Sequence, residues 1–205
     1  MERKHNSKAL TLLVCLVVLI AATVGGTLAY LMASTQPVKN EFVSSKVSCA
    51  VVEDPFDGTT KTNVQIQNTG DTKAYIRATV VVTWKNDKGE VYAATPQKDT
   101  DYTIAFNPNN DWFEGADGFW YHLTEIAPCT HVDAQEHNGC MTGVLINSCA
   151  PVVGRAPNGY YLSVEIVASA IQSAPDSVVT TKWTNSKVAV TGKNGTLDVK
   201  NILGG

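Results

Sequence analysis

The sequence predicts an all-β fold, an antiparallel β-sandwich that is preceded by an N-terminal signal helix. From about residue 40 onward, apolar and polar residues alternate with period two in short segments separated by Gly, Asn and Asp, which is typical of half-buried antiparallel strands. The first 33 residues differ, because basic residues are followed by an apolar run that contains no charge. Beyond this run, no segment has the pattern of an amphipathic helix of several turns.

The N-terminal run predicts export. Small residues at Thr27 and Ala29 occupy the positions that a signal peptidase reads, so the bond between Ala29 and Tyr30 is the predicted cleavage site, with Ala33 as a second candidate. The alternative is a retained membrane anchor, since the segment from Ala9 to Met32 is long enough to cross a hydrocarbon layer of roughly 30 Å. Either outcome predicts that the rest of the chain is extracellular.

Size and charge exclude some function classes. Removal of residues 1–29 leaves 176 residues with 13 Lys and Arg against 18 Asp and Glu, a net charge of −5. This length suits one sandwich-sized domain. The mild acidity gives no reason to expect nucleic acid or an anionic membrane surface as a partner.

The alternating segments place the strands and divide the chain. The strands are predicted at Val47–Glu53, Asn63–Gln67, Ala74–Trp84, Glu90–Ala94, Phe119–Leu123, Met141–Ile146, Tyr160–Ala170, Val178–Trp183, Lys187–Thr191 and Thr196–Lys200. The last two flank Asn194-Gly195, a pair typical of hairpin turns. The predicted organisation is a signal peptide (1–29), an N-terminal arm (30–46), a sandwich of jelly-roll or immunoglobulin-like type (47–183) and a tail with a hairpin (184–205).

The cysteine count agrees with export. Cleavage would leave four cysteines, and an even number in an exported chain permits two disulfides with three alternative pairings, which the sequence does not decide. Three of the four lie within residues 129–149, so at least one short loop is expected to be closed. The four are Cys49, Cys129, Cys140 and Cys149.

No pattern predicts catalysis or a cofactor. His131 and His137 lie between two cysteines and are weak candidates for zinc ligands, but the zinc-peptidase His-Glu-x-x-His motif and close Cys-x-x-Cys pairs are absent from the sequence. The acidic segment from Asp111 to Asp117 lacks the spacing of a calcium loop and is interpreted as a polar turn. Aromatic residues such as Trp112 and Trp120 could stack on a sugar, although aromatic side chains also pack well in sandwich cores.

Several motifs together resemble one family of exported proteins. They comprise the end of the signal, an "NTG" turn between two strands, a central Trp followed by an aromatic strand, and a closing strand that ends in "AIQ". In this sequence they are Gly25–Tyr30 with Val38–Phe42, Val64–Arg77, Asp111–Trp112 with Asp117–Tyr121 and Ala127-Pro128, and Val164–Gln172. The chain resembles the TasA/camelysin-like family of Gram-positive bacteria, whose members have signal peptides of the type cut by SipW-like peptidases.

The resemblance covers roughly residues 20–183 and implies a jelly-roll-like fold and a place at the cell surface or in the biofilm matrix. Some members form fibres in which the N-terminal segment of one subunit completes the sheet of the next. Cys129 stands where the family usually has Gly, so the region 129–150 is expected to be an elaboration of this lineage.

The arm after the cleavage site has the composition of such a donated strand. Its apolar residues are Leu31, Val38, Phe42 and Val43, and addition of an extended segment to a sheet edge supplies backbone hydrogen bonds and side-chain pockets. Head-to-tail addition does not close, so it propagates a filament. The alternative is that Phe42 onward forms the first strand of its own domain.

The sequence therefore predicts a secreted, non-enzymatic structural protein of the cell surface or extracellular matrix, which partners itself or another matrix protein. One alternative is a zinc-dependent surface protease, a label that the camelysin resemblance carries. The other is a surface adhesin or carbohydrate-binding module.

Overall fold

The computed structural model describes residues 11–19, 45–55, 60–129 and 139–202. The chain divides into two units, Met1–Val43 and Ser44–Gly205. In the first unit, residues 11–19 form a helix, α1, with exposed apolar side chains. None of the helices in the described ranges has both the length and the apolar character needed to cross a bilayer.

The second unit consists mainly of strands. They are β1 (Cys49–Val52), β2 (Lys61–Asn68), β3 (Ala74–Lys85), β4 (Tyr102–Phe106), β5 (Trp112–Glu114), β6 (Trp120–His122), β7 (Ile146–Pro151), β8 (Tyr161–Gln172), β9 (Val188–Lys193) and β10 (Thr196–Asn201). One short helix, α2 (Ser177–Trp183), lies between β8 and β9.

The strands form two four-stranded sheets and a hairpin, and all their pairings are antiparallel. The first sheet has the order β1-β2-β7-β4 and the second the order β5-β6-β3-β8. The longest ladder joins β3 and β8 and extends from Ala74–Gln172 to Lys85–Tyr161. The sequence-based prediction of a mostly β, antiparallel fold is confirmed.

An inner core fills the space between the two four-stranded sheets. It contains Val64 and Ile66 from β2 and Ile76 and Ala78 from β3, all fully buried, together with Ile146 from β7. The β2 and β3 residues occupy alternate positions of their strands, which is why the period-two pattern located these two strands, whereas β4 and β5 were not predicted.

A second core lies on the opposite face of the second sheet. We call α2, β9 and β10 the C-terminal cap. Tyr75 of β3 and Tyr121 of β6 are fully buried beneath it, because apolar side chains of the cap pack against them. The cap residues of this outer core are Val179, Trp183, Val188, Val190, Leu197 and Val199.

The helix α2 corrects a prediction, because the sequence analysis interpreted Val178–Trp183 as a strand. Val179 and Trp183 are four residues apart and therefore lie on one face of the helix, where both are buried in the outer core. Gly192 of β9 allows this close packing, since a Cβ there would lie 2.7 Å from a methyl carbon of Val179. Tertiary packing thus outweighs the β-propensity of Val178 and Thr180.

Two other strand predictions are wrong in their bounds. In the segment predicted as Met141–Ile146, Met141 forms only an isolated bridge to Gln67, and β7 begins at Ile146. The segment predicted as Glu90–Ala94 contributes a single bridge, from Val91 to Lys85. At the C-terminal end the predicted hairpin is present, with Asn194 and Gly195 both at positive φ in the two-residue turn.

Candidate assembly site at the edge of the second sheet

The turn between β2 and β3 holds the residues that precede β1. The backbone N–H of Lys46 donates to Asp71 Oδ1 at 2.7 Å, and the Asp71 N–H donates to the Lys46 carbonyl at 3.0 Å. The Thr69 N–H donates to the Ser48 carbonyl at 3.0 Å. We call this set of bonds the clamp, and it fixes the point at which the N-terminal segment enters the folded unit.

The side chain of Asn68 stabilises the turn that forms the clamp. Asn68 is fully buried and its amide donates to the carbonyls of Thr72 and Ile126, while its Oδ1 accepts the N–H of Gly70. Residue 70 must be Gly, because a Cβ there would lie 2.4 Å from the Lys46 carbonyl oxygen. The "NTG" motif therefore has a physical role, since it brings the start of the domain against the β2–β3 turn.

Beside the clamp, β8 forms the end of the second sheet. Its twelve residues pair with β3 on one side, and within the described ranges no strand pairs with its other side. The facing edge strand of the first sheet, β1, has only four residues. The side of the molecule along β1 and β8 is therefore incompletely covered.

The burial of β8 reflects this incomplete cover. Its core-facing apolar side chains are only partly buried, whereas Ile76 and Ala78 on the neighbouring strand β3 are fully buried. The partly buried residues of β8 are Leu162, Val164, Ile166, Ala168 and Ala170. An edge strand with an unpaired backbone and incompletely covered apolar side chains is a template for another strand.

Two cavities lie along this side. The first, of about 610 Å³, lies at the clamp end and is lined by Val47, by residues 170–172 of β8, by Arg77 and by the α2 residues Val178, Lys182 and Trp183. We call it the edge groove. The second, of about 260 Å³, lies at the other end and is lined by Glu53, Lys61, Cys149 and residues 161–164.

Arg77 provides positive charge in the edge groove. Its guanidinium carbon lies 4.2 Å from the ring centroid of Phe119 and 4.8 Å from that of Trp183, and its Nε donates to Ser169 Oγ at 3.2 Å. These contacts fix the half-buried side chain by cation–π attraction. Among the described residues, Arg77 forms no ion pair with a carboxylate.

Burial raises the pKa of two groups near the cavities, Tyr121 and Cys149. Burial, together with the hydrogen bond that the Tyr121 hydroxyl donates to Asp117 Oδ2 at 2.8 Å, raises the pKa of Tyr121 to about 12. At the far cavity, burial raises the pKa of Cys149 to about 11. The thiol is therefore protonated at neutral pH and is a poor nucleophile.

The cysteines give one disulfide, between Cys129 and Cys140, and Gln67 Nε2 donates to the sulfur of Cys129 at 2.9 Å. Cys49 and Cys149 are free. They cannot pair in this fold, because Cys49 lies beside Asn68 of β2 and Cys149 beside Lys61. This separation is about 24 Å at the rise of a strand, whereas a disulfide needs Cα atoms within about 7 Å.

Several predicted site residues lie outside the described residues. They are the cleavage positions Ala29 and Tyr30, the arm residues Leu31, Val38, Phe42 and Val43, and the weak zinc candidates His131 and His137. In the described ranges, no group of three or more His, Cys, Asp or Glu side chains could hold a metal ion.

The aromatic residues considered for sugar stacking lie mainly in the cores. Trp112 is 3% exposed and donates from its indole nitrogen to the Gly143 carbonyl at 3.0 Å, and Trp120 stacks on Phe106. Tyr121 is fully buried. These rings do not form an exposed platform.

Sequence reasoning did not single out Arg77, Lys182 or Asn68 as functional residues. Arg77 lies on the face of β3 opposite Ile76 and Ala78, as the alternation indicates, but the helix that supplies Trp183 was predicted as a strand. The short length of β1 was not predicted either, because the alternating segment there spans Val47–Glu53, whereas the strand comprises only Cys49–Val52.

Comparisons with known proteins give no match to this chain among family models, curated proteins or solved structures.

Proposed function

We propose that this protein is a secreted, non-enzymatic structural subunit of the cell surface or extracellular matrix. In this proposal it is a jelly-roll-type β-sandwich that assembles when the N-terminal arm of one copy adds to the β8 edge of the next. The observation that carries the proposal is the incompletely covered side along the twelve-residue edge strand β8, where five core-facing apolar side chains are only partly buried.

The position of the clamp supports the same proposal. It anchors the chain at Lys46, directly before the short strand β1, and Val47 already lines the edge groove. Val47, which follows the arm directly in sequence, thus lies beside the edge of β8 that no described strand pairs. Addition of an extended segment there would pair the β8 backbone and cover its apolar side chains.

The disulfide supports export, because such bonds persist mainly in oxidising compartments. The apolar N-terminal run and the possible cleavage after Ala29 are compatible with this location. Mass spectrometry of the N-terminus of the secreted protein checks the cleavage site.

Negative-stain electron microscopy tests assembly. Residues 30–205 are expected to form filaments, and Ser44–Gly205, which keeps the clamp but lacks the arm, is expected to give single particles. Far-UV circular dichroism of both proteins controls for folding. Single particles from residues 30–205 at high concentration would contradict self-assembly, and filaments from both would exclude the arm as the assembling segment.

A further inference from the structure

We propose that the far cavity, the space of about 260 Å³ at the end of the molecule away from the clamp, binds a small aliphatic carboxylate. In this assignment Lys61 holds the carboxylate, and the apolar chain of the ligand lies against Leu162 and Val164. The inference goes beyond the proposed function and does not depend on assembly through the arm.

The first argument is the direction of the Lys61 side chain. Lys61 of β2 is the register partner of Cys149 of β7, and directly paired residues of antiparallel strands project to the same face of a sheet. Cys149 is 2% exposed and belongs to the inner core. Lys61 therefore projects toward the inner core at the end of the first sheet, which explains why its side chain is only 16% exposed.

The second argument is the placement of the two charges that line the cavity. Lys61 forms an ion pair with Glu53, whose side chain is 33% exposed, so the cation is the deeper of the two groups. An anionic head group can take the place of Glu53, because the more exposed carboxylate can turn to water. The mostly buried cation then keeps a partner, and its attraction to that partner is less screened than at a free surface.

The third argument is the apolar character of the remaining walls, which come from both four-stranded sheets. Leu162 and Val164 of β8 face the core and are only partly buried. On the other side lies Cys149, whose pKa is raised by burial to about 11, so that its thiol adds an uncharged wall at neutral pH. An aliphatic chain in this space would bury apolar surface against both sheets.

The volume of the far cavity limits the length of the ligand. Since a dry apolar cavity of about 150 Å³ holds benzene, a cavity of about 260 Å³ has room for roughly ten non-hydrogen atoms. Octanoate has this size, and its carboxylate can reach Lys61 from the apolar side of the cavity.

The charge placement also predicts an order among ligands that share the same chain. A neutral alcohol would use the apolar walls without gaining an ion pair. An alkylammonium ion would bring a second cation beside Lys61, and like charges in a partly buried site repel each other. We therefore expect octanoate to bind more tightly than 1-octanol, and 1-octanol more tightly than octylamine.

Methyl-selective NMR of residues 30–205 tests this inference. Titration with octanoate is expected to shift the methyl signals of Leu162 and Val164, while those of Val199 in the outer core stay unchanged. The same titration with 1-octanol and with octylamine should give affinities that are at least about tenfold lower.

Lys61→Met removes the cation but keeps a side chain of similar length. Octanoate should bind to this variant about tenfold more weakly, whereas the affinity for 1-octanol should not fall. Lys73→Met is the matched control, because Lys73 also pairs with a glutamate, Glu125, but is 61% exposed and lies at the clamp end. This substitution should leave both affinities unchanged.

The outcomes separate this inference from the proposed function, because electron microscopy of the same samples reports filaments independently of the ligand. Octanoate shifts that are absent both in residues 30–205 and in Ser44–Gly205 would overturn the site. Equal affinities for octanoate and 1-octanol, or an octanoate affinity that Lys61→Met leaves unchanged, would overturn the assignment of Lys61. Selective binding by Ser44–Gly205 alone would support the site and show that the arm closes it in the longer chain.

Discussion

The two faces of the β3–β8 pair are covered in different ways. On the inner face, side chains of the first sheet bury Ile76 and Ala78, although the matching positions of β8 stay partly exposed. On the outer face, the C-terminal cap buries Tyr75 and Tyr121 near one end, while Val81 and Val167 are 42% and 56% exposed beyond it. Alternation along a strand therefore identifies its two faces but does not say what covers each one.

The two kinds of cover are expected to affect different properties, namely the folding stability of the monomer and the association of copies. The cap is supplied by the same chain and completes the outer core, so it should contribute directly to folding stability. On the inner face, the core-facing side chains along β8 are only partly covered, and this is the edge for which we propose a strand from another copy. Mutations in the cap should therefore destabilise the monomer, and mutations along the edge should affect association.

The largest expected effect is that of Trp183→Ala in the cap. Trp183 is 5% exposed and packs edge-on against Tyr121 with ring centroids 5.7 Å apart. Its truncation should lower the free energy of unfolding by about 3–5 kcal/mol, measured by urea denaturation.

Val167→Ala on the uncovered part of the same face is the matched control. It should change the free energy of unfolding by less than about 0.5 kcal/mol. Equal effects at the two positions would contradict the assignment of the cap as part of the folded core.

A smaller effect concerns pH, and β6 allows the two faces to be compared within one strand. His122 points to the inner core beside Trp112, and burial is the main cause that lowers its pKa. Tyr121 points to the outer core, and its pKa is raised to about 12. The two residues should therefore limit stability at opposite ends of the pH range.

The direction in which folding stability changes with pH follows from the protonation state that is favoured in the folded protein. The neutral His122 is favoured in the folded state, so its contribution should be complete above about pH 6.5 and decline as the pH falls below this value. The protonated Tyr121 is favoured, so its contribution should be complete below about pH 10 and decline as the pH rises toward 12.

Unfolding in urea at pH 5, 7, 9 and 11 measures both limits. His122→Gln should remove part of the decline in the free energy of unfolding between pH 7 and pH 5. Tyr121→Phe should remove part of its decline between pH 9 and pH 11. If either variant kept the full slope of the parent protein, the corresponding assignment would be wrong.

Much of the β structure could be predicted from the sequence, because strands such as Ala74–Trp84 pack one apolar side against the inner core. The turn at Asn194-Gly195 could also be predicted from the sequence, since the backbone conformation of such a turn favours those residues. The helix α2 could not be predicted, because its β-branched residues favour a strand and only the contacts of Val179 and Trp183 with the rest of the chain stabilise the helix.

The candidate site was predictable in part. The composition of residues 30–43 indicated a segment suited to strand addition. The acceptor could not be deduced, because the edge position of β8, the shortness of β1 and the burial of Arg77 between two rings depend on tertiary contacts. The pairing of Cys129 with Cys140 was likewise not predictable, because which cysteines lie within bonding distance depends on the tertiary fold.

Amide hydrogen exchange of β8 tests the central claim most directly. In an antiparallel edge strand, alternate N–H groups face the neighbouring strand and the others face outward. In assembled residues 30–205, we predict that the outward N–H groups of Tyr161–Gln172 exchange about a hundredfold more slowly than in Ser44–Gly205. Equal exchange in the two proteins would contradict the addition of the arm at this edge.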